Sequence, residues 1–437
     1  MENNAKRFGA AGVLFAAAIG LAVLGGCNKT ESVANAGSST SSETGGETET
    51  AAEKKEYAVQ IAQTGTGVTV TKADDWAETF PYEYASYMEN NDNSEVVEYT
   101  EENPYIQTVY EGYGFAISYG SARGHTYDIE DLYATGRPHK LANCFTCKTA
   151  DFTASVLNNG DSMYSTAFED FTSEVTDPFG CFHCHEDDPT SLTVTHLYLA
   201  NALGDDVDTV AAQTLSCGQC HSEYYFDPET KATSFGYTSI DGIGPQDILA
   251  YENAIVDTEG NQFADWVDES TGVRKLKAQH PEFETYINNS THYSMGLTCA
   301  DCHMEKATAE DGTAYTSHNW VSPLDSESIM SNTCAQCHGT ADVTAMVESI
   351  QTATTTRENE IGEKLVELDT KLSEAVANNT LSEEDLETVR SLNRDGQFLW
   401  DFVYVENSEG FHNTSLTEET LDKAEELIDE ALAMLGE

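Results

Sequence analysis

Five short segments of this chain carry two cysteines with two residues between them. They read CFTCK from Cys144, CFHCH from Cys181, CGQCH from Cys217, CADCH from Cys299 and CAQCH from Cys334. Two thiols at this spacing, followed at once by a histidine, form the attachment signature of a c-type haem. The thiols (Cys144 and Cys147, Cys181 and Cys184, Cys217 and Cys220, Cys299 and Cys302, Cys334 and Cys337) would make thioethers to the vinyl groups. The next histidine (His185, His221, His303 or His338) would ligate the iron. Zinc sites would want pairs of Cys-x-x-Cys and no histidine straight after each. Disulfides are the ordinary fate of cysteines in an exported chain, but four motifs all followed by histidine do not fit simple disulfide pairing.

The first motif ends in Lys148 where the others carry histidine. Lysine ligates a metal only as the neutral amine, so its proton must leave on binding. A lysine-ligated haem differs electronically from its neighbours, because axial identity is one of the protein's main levers on the iron. The alternative is a degenerate motif whose ligand comes from elsewhere. Of the 12 histidines, four are proximal candidates. The others are His125, His139, His183, His196, His280, His292, His318 and His412. Four of these could cap four haems on the second face, leaving saturated electron carriers and one haem with an open face. His183 lies in a motif spacer, where residue identity is usually free. His139 and His196 read as surface or hydrogen-bonding residues.

Several elements must position these groups. Residues 57–340 contain the motifs, among loops and short helices with few periodic apolar runs, so haem macrocycles are expected to supply the buried apolar material. Residues 341–437 change texture. Val343, Met346, Val347 and Ile350, then Ile361, Leu365, Leu368 and Leu372, recur at helical spacing. Ser382 to Asp385 reads as a capping box opening a second helix through about Tyr404, and Thr417 to Leu435 reads as a third. This helical region belongs to the same domain and offers a possible dimer interface.

The chain has 437 residues and a formal charge of -55, from 21 Lys+Arg against 76 Asp+Glu. Nucleic acid is excluded as a partner, because nothing would neutralise its phosphates, and an anionic membrane surface would repel the protein. At the N-terminus, Lys6 and Arg7 precede the apolar run Gly9 to Gly26 and then Cys27. Residues 1–27 read as a lipoprotein-type export signal in which Cys27 is lipidated, with an ordinary signal or short anchor as the alternative. Residues 28–56 are rich in Ser, Thr, Glu and Gly and read as a flexible tether. The protein is therefore expected outside the cytoplasm, at the outer face of the cytoplasmic membrane or in the periplasm, meeting the membrane only through that lipid.

One CxxCK followed by four CxxCH, in an exported chain with a helical C-terminal region, resembles the pentahaem cytochrome c nitrite reductases, the ammonia-forming enzymes. The resemblance covers about residues 76–437. It implies a mainly α fold, a multihaem cytochrome c with a haem-filled core and long C-terminal helices. It also implies five haem c groups, calcium, nitrite as substrate, a membrane-bound quinol-oxidising multihaem cytochrome as electron donor, and a homodimer. The segment CGQCHSEYYF is similar to the family's segment after its third motif, which makes Glu223 a calcium ligand and Tyr224 the active-site tyrosine. LKAQHPEFE is similar to the family's KxQH segment. There Gln279 and the Lys277 carbonyl would complete the calcium site with Glu223 and Tyr224, and His280 would be the active-site histidine. By the same matching His125, in R-G-H, would cap the third haem, His292 the fifth, His318 the second and His412 the fourth. The family's active-site arginine falls at Arg137, with Arg123 as the alternative. Rival readings are an electron conduit without a substrate, which predicts six-coordinate iron throughout, and a related reductase of hydroxylamine or a sulfur oxyanion.

Overall fold

Three long helices follow the last cysteine motif: Val343–Asn378, Glu383–Tyr404 and Thr414–Leu435. They belong to a computed structural model that describes residues 56–65 and 67–436. The export signal, Cys27 and all but the last residue of the tether lie outside the described residues. Each long helix starts at a side chain that accepts one of its free N–H groups. Asp342 accepts from Ala345 N at 3.1 Å, Ser382 from Asp385 N at 3.1 Å and Asn413 from Leu416 N at 3.3 Å. The third helix therefore opens three residues before the expected Thr417. The first stops at Asn379, in the left-handed conformation at φ 51°, which asparagine tolerates. The capping box expected at Ser382 is only half formed, because the Asp385 carboxylate takes the Ser382 hydroxyl instead of the backbone N–H. A complete box stands at Thr298 and Asp301, opening the helix Cys299–His303 that carries the fourth motif.

The apolar stripes of the three helices meet one another. Leu365, Leu368, Leu372, Val389, Phe398, Trp400, Leu421 and Ile428 are all buried, each contributing about 1.5–3 kcal/mol relative to exposure. Gly396 permits the close crossing of the second and third helices, since a Cβ there would lie 2.9 Å from Ile428 Cγ1.

The same apolar cluster continues through Ile106, Leu199, Leu215, Ile248, Leu276 and Phe283. The motif-bearing region thus has an apolar core of its own, besides any space for macrocycles. Periodicity could not reveal it, because these residues come one or two at a time from many short elements. Strands are short pairs, among them Tyr225–Phe226 with Thr233–Ser234 and Trp266–Val267 with Arg274–Lys275, both antiparallel. The first pair follows the third motif directly, and the second leads straight into Lys277 to His280. Among the described residues, no helix is long and apolar enough to cross a membrane.

Candidate haem-binding and active site

Four histidines that end cysteine motifs each face a second imidazole. Ring centres are 6.1 Å apart for His125 and His221, 6.2 Å for His185 and His318, 6.2 Å for His303 and His412 and 6.4 Å for His292 and His338. With metal–nitrogen bonds of about 2 Å, two imidazoles sharing one ion have ring centres about 6 Å apart. Second partners fix several of the rings. His185 Nδ1 lies 2.6 Å from Ser191 O, His303 Nδ1 3.0 Å from Val321 O, His318 Nδ1 2.9 Å from Thr316 O and His412 Nδ1 2.6 Å from Glu406 Oε1. A ring that donates from Nδ1 keeps Nε2 as the basic nitrogen, the arrangement a metal-ligating histidine needs. The ten motif cysteines are free thiols. This donor set could hold four histidine-capped haems.

The surroundings of the lysine motif differ. Lys148 Nζ lies 3.3 Å from Asp128 Oδ1. Burial lowers the His280 imidazole to about 4, with His221 and Lys148 adding to the effect against Glu282. Burial likewise pushes the Tyr224 phenol up, with Cys147 and Cys144 adding and Arg137 opposing. Tyr224 and His280 are therefore neutral near pH 7, and Arg137, Tyr224, His280, Lys148 and the first motif's thiols share one electrostatic neighbourhood. Arg137 donates from Nε to Phe115 O at 3.1 Å and from Nη2 to Ser118 O at 3.2 Å. Its charge has no carboxylate ion pair among the described residues. Arg123 is engaged elsewhere, 2.6 Å from Asp131 and 3.1 Å from Glu130, and it stacks over Tyr127.

The segment before His280 is tied by three successive backbone N–H groups to three different carboxylates. Lys277 N donates to Asp265 at 2.8 Å, Ala278 N to Asp401 at 3.0 Å and Gln279 N to Glu223 Oε2 at 2.6 Å. The Gln279 amide reaches the Lys277 carbonyl at 2.9 Å. Thus Glu223, Lys277 and Gln279, far apart in sequence, meet beside Tyr224. Glu223 is 1 % exposed, and among the described residues its Oε1 has no hydrogen-bond partner. A buried carboxylate oxygen without a donor is costly, and a hard cation would satisfy it.

Sequence reasoning missed Asp128, Asp265 and Asp401, because carboxylates are common here and only burial distinguishes these. It also took the His183 position as free. That ring is 1 % exposed, stacked on Phe179 at 4.5 Å and on His196 at 5.7 Å, and burial lowers it to about 3. The histidine inside the second motif's spacer is the signal that could have drawn notice. His196 is hydrogen-bonded, its Nε2 2.8 Å from Thr146 O.

The sequence profile of the cytochrome c552 family matches residues 72–437. The cytochrome c nitrite reductase subunit NrfA of Nitratidesulfovibrio vulgaris (Hildenborough) is 31 % identical over 408 residues, covering 82 % of this chain and 77 % of that protein. A cytochrome c-552 of Desulfotalea psychrophila is 29 % identical, over 85 % of this chain and 75 % of that one. The solved catalytic subunit of cytochrome c nitrite reductase from Desulfovibrio desulfuricans, described as having two calcium sites, superposes with a TM-score of 0.75 at 28 % identity, covering 85 % of this chain and 87 % of that one. With its motifs, its helical fold and this extent of match together, the chain belongs to the cytochrome c552 family.

Proposed function

We propose that this protein reduces nitrite to ammonium, a six-electron reduction, at the haem that Cys144 and Cys147 would attach and Lys148 would ligate. The observation that carries this reading is the contrast between motifs. Four histidine motifs each face a second imidazole at 6.1–6.4 Å, whereas the lysine motif shares its neighbourhood with Arg137, Tyr224 and His280. His185 with His318, His221 with His125, His303 with His412 and His338 with His292 would hold the four other haems. When bound, the five haems supply the electron path and the iron at which nitrogen–oxygen bonds are broken.

The chain's own groups bind the anion and move protons. Among the described residues the Arg137 guanidinium has no carboxylate ion pair, so it is available for charge-assisted hydrogen bonds to a small anion. In a protein of net charge -55, such a local positive field is what admits nitrite at all. His280 is neutral, so it can accept a proton and pass it on. Tyr224 keeps its O–H and can donate a hydrogen bond to a nitrite oxygen. Glu223, the Gln279 side chain and the carbonyls of Tyr224 and Lys277 would hold calcium, an oxygen-seeking cation, and so brace Tyr224.

Export with lipid anchoring at Cys27, donation by a membrane-bound quinol-oxidising multihaem cytochrome and a homodimer through the long helices belong to the same reading. They rest on the N-terminal sequence and on the family. The function is tested by supplying the holoenzyme with a reduced dye and nitrite and measuring ammonium. Stoichiometric ammonium is expected. Nitrite consumption without ammonium, or low-spin six-coordinate iron at every haem, would favour another reductase or an electron conduit.

A further inference from the structure

His412 lies in the loop 405–413 between the second and third long helices. Its ring centre is 6.2 Å from that of His303, the histidine of the fourth motif, and its Nδ1 lies 2.6 Å from Glu406 Oε1. A carboxylate only accepts, so Nδ1 carries the ring proton and Nε2 keeps the lone pair that an iron would take.

Other histidines of the four facing pairs meet different groups. His185, His303 and His318 face the backbone carbonyls of Ser191, Val321 and Thr316, which carry only partial charge. His221 Nδ1 is 3.7 Å from Glu282 Oε2, beyond a hydrogen bond. Among the described residues, His412 is thus the one member of these pairs with a direct hydrogen bond to a carboxylate.

Glu406 is built in for this contact. It is 4 % exposed, and its ion-pair partner among the described residues is His412. Its Oε2 accepts from the Ser408 hydroxyl, and Ser408 Oγ in turn accepts from His412 N at 2.8 Å. Three residues therefore close a ring of hydrogen bonds. The first long helix pins that ring from outside. Gln351 Nε2 donates to Ser408 O at 3.3 Å, and Gly410, at φ 85°, packs so closely that a Cβ there would collide with Thr354 Oγ1.

We propose that Glu406, acting through His412, lowers the reduction potential of the haem that Cys299 and Cys302 would attach. This rests on the pairing of His303 with His412 above. An imidazole that shares its Nδ1 proton with a carboxylate is a stronger donor to a metal. The buried negative charge also favours the more positive, oxidised iron, so axial-ligand basicity and local charge act in one direction. A carrier tuned this way would pass its electron on instead of retaining it. The competing role for Glu406 is to orient the ring and nothing more.

The test uses the haem-loaded enzyme, titrated potentiometrically with its low-spin ferric signals followed by electron paramagnetic resonance. His412→Ala identifies the signal concerned, because it should replace one low-spin signal by a high-spin one. Glu406→Gln keeps an acceptor for Nδ1 and removes the charge. It should shift that one couple at least tenfold toward the reduced form, about 59 mV for one electron, with five haems retained and the other signals unmoved. Glu406→Asp should fall between it and wild type. If Glu406→Gln leaves every couple at its wild-type potential, Glu406 only orients the ring and the proposal is overturned, with the pairing standing. A shift shared by all the signals reports general loosening and overturns it as well. If His412→Ala retains every low-spin signal, the pairing itself fails and takes this proposal with it. Should Glu406→Gln not accumulate with five haems, Glu406→Asp decides alone, because a side chain one methylene shorter cannot keep the 2.6 Å contact from the same backbone. Wild-type potentials in that variant overturn the proposal.

Discussion

Removing the Asp401 carboxylate should loosen the segment that carries His280 although Asp401 touches no reacting group. Asp401 lies on the second long helix with 0 % exposure. It accepts from Lys277 Nζ at 2.9 and 3.0 Å, from Ala278 N at 3.0 Å and from the Tyr110 hydroxyl. In Asp401→Ala the Lys277 ammonium, whose side chain is 3 % exposed, keeps the Ala278 carbonyl at 2.8 Å and the Tyr110 and Tyr119 rings but no carboxylate. Stranding one partner of a buried pair costs about 3–5 kcal/mol. Asp401→Asn retains an acceptor and should cost about 1.5–3 kcal/mol, the worth of a hydrogen bond to a charged group. The cost should appear first as local opening of residues 275–280. At about 1.4 kcal/mol per factor of ten, Asp401→Ala should lose about two to four decades of amide protection there, unless global unfolding sets the ceiling. Hydrogen–deuterium exchange with mass spectrometry on the holoenzyme reads this directly, with a peptide covering 197–203 as an internal control. Nitrite turnover should fall in parallel while haem content stays constant. The double variant Asp401→Leu with Lys277→Met should recover only part of the protection, since the apolar pair removes the stranded ammonium but leaves Ala278 N and the Tyr110 hydroxyl without their acceptor. Wild-type exchange at 275–280 in Asp401→Ala would refute the idea that the C-terminal helices hold the segment carrying His280.

Lys148→His should still carry its haem, because Cys144 and Cys147 remain, but should reduce nitrite far more slowly than any stability loss explains. Equal rates would make the lysine incidental. Acid stability should depend on His183, held to about 3 by burial against 6.5 for a free imidazole. Between those values the unfolded chain binds a proton that the folded one does not, so stability is fully present above pH 6.5 and falls by up to about 1.4 kcal/mol per unit as pH drops toward 3. His183→Phe, which retains a ring against Phe179, should flatten that slope by one proton in denaturant titrations from pH 7 to 4. An unchanged slope would mean His183 titrates alike in both states. Cys27→Ser should release the protein from the membrane fraction, and an already soluble wild type would point to cleavage elsewhere.

How much of this was legible in the sequence depends on the range of the interaction. Haem attachment was legible because its chemistry is contiguous: two thiols and the proximal ligand lie within five residues, as in CADCH from Cys299. The long helices were legible because Leu365, Leu368 and Leu372 repeat at a period the backbone itself imposes. For the distal histidines the residues alone defined a set of eight candidates, and family resemblance proposed partners. Tertiary structure is what brings His125 within 6.1 Å of His221, or His303 within 6.2 Å of His412. The two arginines near the first motif also look alike in sequence, yet Arg123 is taken up by Asp131 and Glu130 while the Arg137 guanidinium donates to the carbonyl oxygens of Phe115 and Ser118. The supports of the segment carrying His280 were invisible. Lys277 and Asp401 are 124 residues apart, and Asp401 is one acid among 76 Asp+Glu. A carboxylate acquires its role when folding removes its water and leaves it a specific partner, and nothing in the residues beside it in the chain records which partner that will be.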